Sequence, residues 1–147
     1  MKNETADEQT NKRIVQRFNK EVIEQGNIDS FHELMDPKFI NHSAPSAMNG
    51  PDSMWNTFDK ILRPAFPDLQ VEIYDQIAEG EKVTTRKAIV GTHLGGLMEI
   101  PPTQKKIQID VIDIVRIQDG KYMEHWGMNN FQSVIDALRK VSEGELD

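Results

Sequence analysis

The chain has 147 residues, which is enough for one domain with its own hydrophobic core. It contains no cysteine, so disulfides, thiolate nucleophiles and zinc–thiolate sites are excluded. The formal net charge is −7, and lysine and arginine are scattered along the chain, which argues against a nucleic acid as partner.

The hydropathy pattern contains neither a secretion signal nor a membrane span. The N-terminal sequence is polar throughout. No segment approaches the roughly 20 consecutive apolar residues that a membrane helix needs. The sequence therefore predicts a cytoplasmic protein without a membrane partner. Residues 10–141 are expected to form the domain, between a disordered N-terminal tail at 1–9 and a C-terminal tail at 142–147.

The first half of the chain has the spacing of helices. Apolar residues recur every three to four positions over residues 10–25, which predicts a first helix. Ser30 and Glu33 form a capping-box pair that predicts the start of a second helix. A short extended segment that runs into a loop is expected over residues 39–43. A third helix is predicted over about residues 51–63, where prolines end it.

The second half of the chain has the period of strands. Alternating apolar and polar residues predict strands from Leu69 to a turn at residues 79–81, and over residues 83–92, 106–117 and 121–128. Asp119-Gly120 is a strong hairpin signal, and a short helix is predicted from Phe131. The fold class is α+β: a curved, mostly antiparallel sheet, covered on one face by the N-terminal helices and enclosing a pocket.

Five motifs in this order resemble the SnoaL-like polyketide cyclase (ester cyclase) family of the NTF2-like superfamily. They are FINHSAP at 39–45, AFPDL at 65–69, AEGEKVTTR at 78–86, GTHLGGLMEIPPTQKKI at 91–107 and DIVRIQDGKYMEHW at 113–126. The resemblance extends over about residues 11–138. Its most specific parts are the GTH…IPPT and DGK…EHW blocks at this separation.

The resemblance implies a cone-shaped α+β barrel with a deep apolar pocket, and commonly a homodimer across the sheets. In characterised members, an aldol condensation closes a ring in a polyketide ester without metal or cofactor. An acid beyond the EHW motif abstracts the proton, and histidines and polar groups steady the enolate. The implied partner is therefore a small apolar or polyketide-like molecule.

The chain departs from the family pattern at the position of that acid. The pattern runs EHW-x-x-x-Asp, and the matching residue here is Asn130, beside a second amide at Asn129. An amide does not take a proton from carbon near neutral pH, and a positioned base is worth about 10²–10⁴-fold in rate. Asn130 is therefore expected to orient the substrate through hydrogen bonds. Leu97-Met98-Glu99 and Gln104 also depart from the pattern and are expected to reshape the pocket mouth.

Asp113 is the leading candidate for the base. It is the one ionisable residue on the otherwise apolar face of the strand at 106–117. If that face lines a pocket, desolvation raises the pKa of Asp113 and makes it a usable base. The alternative is a structural ion pair across the sheet with Arg86 or Arg116. Arg86 is also a candidate for substrate binding.

Further candidates come from the histidines and tryptophans. His125 and Trp126 point to opposite faces of the last strand, so one of them lines the pocket unless a bulge intervenes. His125 is a catalytic candidate and Trp126 a substrate contact; the alternatives are a structural histidine and core packing. His93 either bonds a substrate carbonyl or bonds backbone at a loop edge.

His42 and Trp55 complete the candidate set, as substrate contacts. His42 lies at the pocket rim or caps a loop, and Trp55 lines an apolar pocket or packs in the core. The four histidines have no local spacing typical of a metal site, so no metal or other cofactor is expected.

Three functions remain open at this point. The first is a cofactor-independent cyclase, isomerase or hydratase that acts on an apolar carbonyl or ester compound, with Asp113 as base. The second is a non-catalytic binder of a small apolar ligand, suggested by the amide at Asn130. The third is a structural or adaptor dimer whose pocket is filled by its own side chains. One scaffold can host all three.

Overall fold

The N-terminal helix begins earlier than the sequence predicts. A computed structural model describes residues 3–144, and in it α1 spans Ala6–Arg17. Thr5 and Glu8 form a capping box, and the buried Glu8 carboxylate also accepts the Gly80 backbone N–H at 2.7 Å. Residues 6–9 therefore belong to this helix and not to a disordered tail, since the capping and the Gly80 contact hold its first turn in place.

The remaining helices, together with two π-helical segments, complete the helical layer. They are a π-helical segment at Phe18–Glu24, α2 (Ile28–Leu34), α3 (Pro51–Asn56), a second π-helical segment at Thr57–Leu62, α4 (Arg63–Ala65) and α5 (Phe131–Ser142). Asn27 caps α2 by accepting the backbone N–H groups of Asp29 and Ser30. The expected capping box at Ser30 is therefore wrong, because the helix has already begun there.

The sheet has five strands in the order β1-β5-β4-β3-β2. They are β1 (Met35–Asn41), β2 (Gln70–Glu79), β3 (Lys82–Thr92), β4 (Lys106–Gln118) and β5 (Lys121–Asn129). All neighbours are antiparallel except β1, which runs parallel to β5. The α+β class with a mostly antiparallel sheet is confirmed. The sheet is open, with β1 and β2 as its edges, so the cone-shaped barrel implied by the resemblance does not close.

The helices pack on one face of the sheet, which we call the inner face. Phe18 stacks on Tyr122 of β5 with ring centroids 4.2 Å apart, and both side chains are buried. Burial of each such ring stabilises the fold by about 2–3 kcal/mol. None of the helices between residues 3 and 144 is both long and apolar enough to cross a membrane.

Candidate functional site

A cavity of about 230 Å³ lies between the inner face of the sheet and the two π-helical segments. Its walls are mainly apolar and include Phe18, Met54, Phe58, Ile89, Ile109 and Val111. Its polar side chains include Asn41, Lys87, Asp113, Tyr122, His125 and Asn129. An apolar pocket with a few convergent polar groups is typical of a site for a small, mostly apolar ligand.

The sheet register brings three ionisable side chains together in this cavity. Asp113 pairs with Thr85 on one side and Gly127 on the other, which places Lys87 and His125 one step away on the same face. Asp113 Oδ2 lies 3.4 Å from Lys87 Nζ and 3.3 Å from His125 Nε2. The side chains of Asp113 and Lys87 are only 7% and 5% exposed.

The pKa of Asp113 is shifted in the direction opposite to the expectation. Burial disfavours its carboxylate, but the Lys87 ammonium and His125 outweigh this and hold the pKa of Asp113 below its usual value. The expected rise in its pKa is therefore wrong, because a lysine lies beside it. The alternative pairing with Arg86 or Arg116 is also wrong, since these side chains pair with Asp75, and with Glu81 and Glu124, respectively.

One oxygen of Asp113 is left without a partner. Oδ1 is buried and has no hydrogen-bond partner within residues 3–144. A buried acceptor without a donor costs about 1–3 kcal/mol. Such an atom on a cavity wall indicates that a ligand or water supplies the missing donor.

The proton of the neutral His125 ring is fixed by Asn41. The Asn41 Oδ1 accepts the Ser43 backbone N–H at 3.0 Å, which sets the orientation of the amide. The same oxygen lies 2.9 Å from His125 Nδ1, so this nitrogen must carry a hydrogen and donate it. In the neutral ring Nε2 is then the unprotonated nitrogen, and it faces Asp113. A proton taken up by Asp113 or by Nε2 is consequently shared by the pair.

His93 lies away from this cavity, contrary to the prediction. Its ring is fully buried against Phe66, with centroids 5.9 Å apart. The Thr103 backbone N–H donates to His93 Nδ1 at 3.2 Å, which ties the β3–β4 connection to the end of β3. Burial lowers the pKa of His93. The family-pattern departures at 97–99 and 104 lie in the same connection and are not among the cavity residues.

Three further candidates lie on the outer face of the sheet or at its edge. Trp126 points to the face opposite His125, and His42 stacks on it with ring centroids 4.8 Å apart. His42 Nε2 also lies 3.6 Å from Glu124. Arg86 is exposed and pairs with Asp75. None of these candidates is among the residues that line the cavity.

Trp55 and Asn130 also have other partners. Trp55 packs against Phe31, with ring centroids 5.1 Å apart, and below the Arg63 guanidinium. Asn130 precedes α5, and its Oδ1 accepts the Asp110 backbone N–H at 2.8 Å. The cavity is lined instead by Asn129, which shares the inner face with His125. Within residues 3–144 no cluster of three His, Asp or Glu side chains could hold a metal.

Sequence reasoning missed Lys87, Asn41 and Asn19. Lys87 lies on the inner face of β3 together with the buried residues Val83 and Ile89. The same two-residue alternation that identifies Asp113 on β4 could therefore have identified Lys87. Asn19 lies in the first π-helical segment; its Nδ2 donates to Val15 O at 2.8 Å and its Oδ1 accepts from Lys87 Nζ at 2.6 Å. Asn19 has no local signal, because Lys87, the partner that connects it to the site, is 68 positions away in sequence.

Comparisons with solved structures give the fold. TsrD from Streptomyces laurentii superposes with a TM-score of 0.79 at 20% identity, covering 97% of this chain and 100% of that one. A SnoaL-like protein from Jannaschia sp. CCS1 superposes with a TM-score of 0.80 at 23% identity, covering 94% and 97%. The NTF2-like fold is therefore confirmed.

Comparisons of sequence give the family. The chain is 23% identical over 132 residues to the aklanonic acid methyl ester cyclase DauD of Streptomyces sp. (strain C5), covering 90% of this chain and 79% of the relative. It is 23% identical over 115 residues to the nogalonic acid methyl ester cyclase of Streptomyces nogalater, covering 77% and 86%. The family model for SnoaL-like polyketide cyclases matches residues 13–138. Since this match covers most of the chain, the protein belongs to the SnoaL-like polyketide cyclase family.

Proposed function

We propose that the protein is an enzyme that removes a proton from a carbon next to a carbonyl group in a small, mostly apolar compound. The observation that carries this proposal is the Asp113–His125 pair on the cavity wall, with Asp113 Oδ1 lacking a partner. The reaction class is an aldol-type cyclisation or an isomerisation, since both begin with this proton transfer. Acid–base chemistry by side chains is sufficient for either.

The curated relatives support the carbonyl class of substrate. Both are methyl ester cyclases, so their substrates carry an ester carbonyl. The chain lacks the family's usual acid at position 130, and we propose that Asp113, on the neighbouring strand β4, supplies the carboxylate. The terminal torsion of a carboxylate is soft, so a bound ligand can turn Oδ1 towards the cavity.

The lowered pKa of Asp113 restricts the possible classes of substrate further. A carboxylate with a depressed pKa is ionised at neutral pH but is a weak base. It can deprotonate only an unusually acidic carbon, such as one between two carbonyl groups. We therefore propose a β-keto ester or another 1,3-dicarbonyl compound as the substrate class.

Isotope exchange tests this proposal without knowledge of the product. A panel of β-keto esters is incubated with the protein in D₂O, and loss of the α-proton is followed by NMR. We expect exchange above the buffer rate, and a fall of about 10²–10⁴-fold in Asp113→Asn. Asp75→Asn, on the outer face of β2, is the matched control and should exchange like wild type. Equal exchange by wild type and Asp113→Asn would reject Asp113 as the base.

Non-catalytic binding is the second candidate, favoured by the amide at Asn130 and by the shielding of Asp113 Oδ1 from solvent. Under this alternative, native mass spectrometry detects the bound ligand, and no exchange above buffer occurs. The third alternative, a pocket filled by its own side chains, does not fit the open cavity of about 230 Å³.

We also propose that the protein forms a homodimer through the outer face of the sheet. This face exposes large apolar side chains at the centre and edge of the sheet, including Ile77, Ile112 and Met128, which are 70%, 54% and 81% exposed. A second copy that covers them removes this apolar area from water. Ile112→Glu should then yield monomers in sedimentation velocity, and an unchanged dimer, or a wild-type monomer, would contradict this interface. A cytoplasmic location stays a prediction of the sequence.

A further inference from the structure

Lys87 is a buried cation on the cavity wall whose position is fixed from two sides. Its Nζ donates to Asn19 Oδ1 at 2.6 Å on the helical side and lies 3.4 Å from Asp113 Oδ2 on the sheet side. Asn19 is itself held, because its Nδ2 donates to the carbonyl of Val15. An ammonium has three N–H groups, and within residues 3–144 no partner for the third is found.

An open donor and an open acceptor therefore lie on neighbouring residues of the cavity wall. The acceptor is Asp113 Oδ1, which is buried without a partner, and the donor is the third N–H of Lys87. In an ordinary structural ion pair, the third N–H and Oδ1 would form hydrogen bonds with each other or with the surrounding backbone. A ligand that carries a removable proton close to a carbonyl oxygen matches these two groups: the proton faces the acceptor and the oxygen faces the donor.

We propose that Lys87 is a catalytic residue that binds the carbonyl oxygen of the ligand and pairs with the negative charge that forms there. This inference rests on the proposed function and adds the group that stabilises the enolate. The ligand class it specifies is a carbonyl compound whose enolate oxygen lies within hydrogen-bonding distance of Lys87 Nζ.

The proton transfer balances within these groups. The carbon–hydrogen bond breaks and its proton goes to Asp113, which shares it with His125 Nε2. The electron pair of that bond forms the carbon–carbon double bond of the enolate, and the carbonyl π pair moves to the oxygen. Return of the proton to the opposite face of that carbon, or to an atom conjugated with it, completes an isomerisation. In an aldol closure the enolate carbon attacks a second carbonyl, whose π pair moves to its oxygen, and the alkoxide so formed takes the proton held by Asp113 and His125.

The charge balance explains why a lysine suits this position. Before the transfer, the negative charge resides on Asp113, and after it on the ligand oxygen. Lys87 lies beside both places, so one cation is paired throughout and no new charge is created in the buried site. In surroundings of low dielectric constant a fixed cation near a developing oxyanion is among the largest contributions to catalysis.

A purely structural role for Lys87 makes a different prediction, which a charge-matched variant separates. The double variant K87M/D113N removes one positive and one negative charge, so the net charge of the site is unchanged. Replacement of a buried ion pair by groups of similar size is commonly neutral or stabilising, so this variant is expected to fold. If Lys87 only neutralises Asp113, the double variant and the wild type favour an anionic ligand equally.

The probe is 4-nitrophenol, whose ionised form resembles an enolate and absorbs at longer wavelength than the neutral form. Spectrophotometric titration gives the ratio of phenolate to phenol affinity for each protein. We expect this ratio to be at least about tenfold higher in wild type than in K87M/D113N, a difference of about one unit in the apparent pKa of the bound probe. Lys82→Met, on the outer face of the sheet, is the control and should keep the wild-type ratio.

The outcomes separate this inference from the proposed function. Equal ratios in the wild type and the double variant, or no phenolate preference in the wild type, would overturn the role of Lys87. A phenolate preference that depends on Lys87 supports it even if no substrate exchanges its α-proton, in which case only the catalytic proposal fails. In the exchange assay, Lys87→Met is expected to lower kcat far more than it raises KM, because the oxyanion forms during the reaction.

Discussion

The Gly127→Ala substitution should separate His125 from Asp113 with little effect on the rest of the fold. A Cβ atom at position 127 would lie 2.8 Å from His125 Cε1 and 3.1 Å from its Nε2, whereas ordinary contacts begin at 3.4 Å. The backbone at Gly127 has little freedom to move, because its N–H donates to Ser43 Oγ at 2.6 Å and its carbonyl accepts from the same hydroxyl at 3.1 Å. The imidazole must therefore move.

The required movement gives the expected magnitude. The ring has to retreat by 3.4 − 2.8 Å, or about 0.6 Å, to reach ordinary contact. A retreat directly away from Asp113 lengthens the 3.3 Å between His125 Nε2 and Asp113 Oδ2 to at most about 3.9 Å, too far for the two atoms to share a proton. Overpacking of a filled site by an added methyl group costs about 2 kcal/mol, which corresponds to a fall in Tm of roughly 4–8 °C for a chain of this size.

Two assays test this prediction. Thermal denaturation measures the stability, and ¹⁵N NMR of the four histidines reports which nitrogen of His125 carries the proton. We expect the Nδ1–H signature in wild type and shifted His125 signals in Gly127→Ala, together with a fall of about 10²-fold in α-proton exchange. Gly50→Ala is the control, since no atom lies within 4 Å of an added Cβ there. An unchanged Tm and unchanged His125 signals in Gly127→Ala would refute the reasoning.

Two further predictions concern stability outside the cavity. Because burial holds the pKa of His93 below 6.5, the unfolded chain binds this proton at higher pH, and the free energy of unfolding should fall as the pH drops below about 6.5. Urea denaturation over roughly pH 5 to 8 should show this fall in wild type and in the control His32→Gln, but not in His93→Gln. Met98 and Glu99 both have positive φ in a two-residue turn, so the double variant M98N/E99G should raise Tm by about 2–4 °C with unchanged ligand binding. A lower Tm would show that this turn is not strained.

The parts of the fold that depend on local pattern could be predicted from the sequence. Alternation predicts β2 to β5, and Asp119-Gly120 forms the hairpin turn with both residues at positive φ. The sequence indicates β1 only from Phe39 onwards, because this strand follows α2 directly and contains Pro37, which favours an edge position. Its parallel pairing with β5 joins residues more than 80 positions apart, and no local signal encodes that.

The sequence predicts only those site residues that the alternation within a single strand can identify. The apolar face of β4 identifies Asp113, and the period of β3 places Lys87 on the face that carries Val83 and Ile89. Their proximity depends on the register between the strands, which the periods alone do not fix. For the same reason Arg86, one residue from Lys87 but on the other face, was chosen as a candidate.

The buried pair of Lys87 and Asp113 is difficult to explain by stability alone. Moving two ions out of water costs several kcal/mol for each, and well-packed apolar residues at such positions are commonly neutral or stabilising. Among residues 3–144, the pair also leaves Asp113 Oδ1 without a donor. A fold that keeps these costs on the wall of a mainly apolar cavity resembles an active site, where local rules are broken in exchange for function. The double variant K87M/D113N tests this view as well, because it should be at least as stable as wild type while it loses phenolate preference.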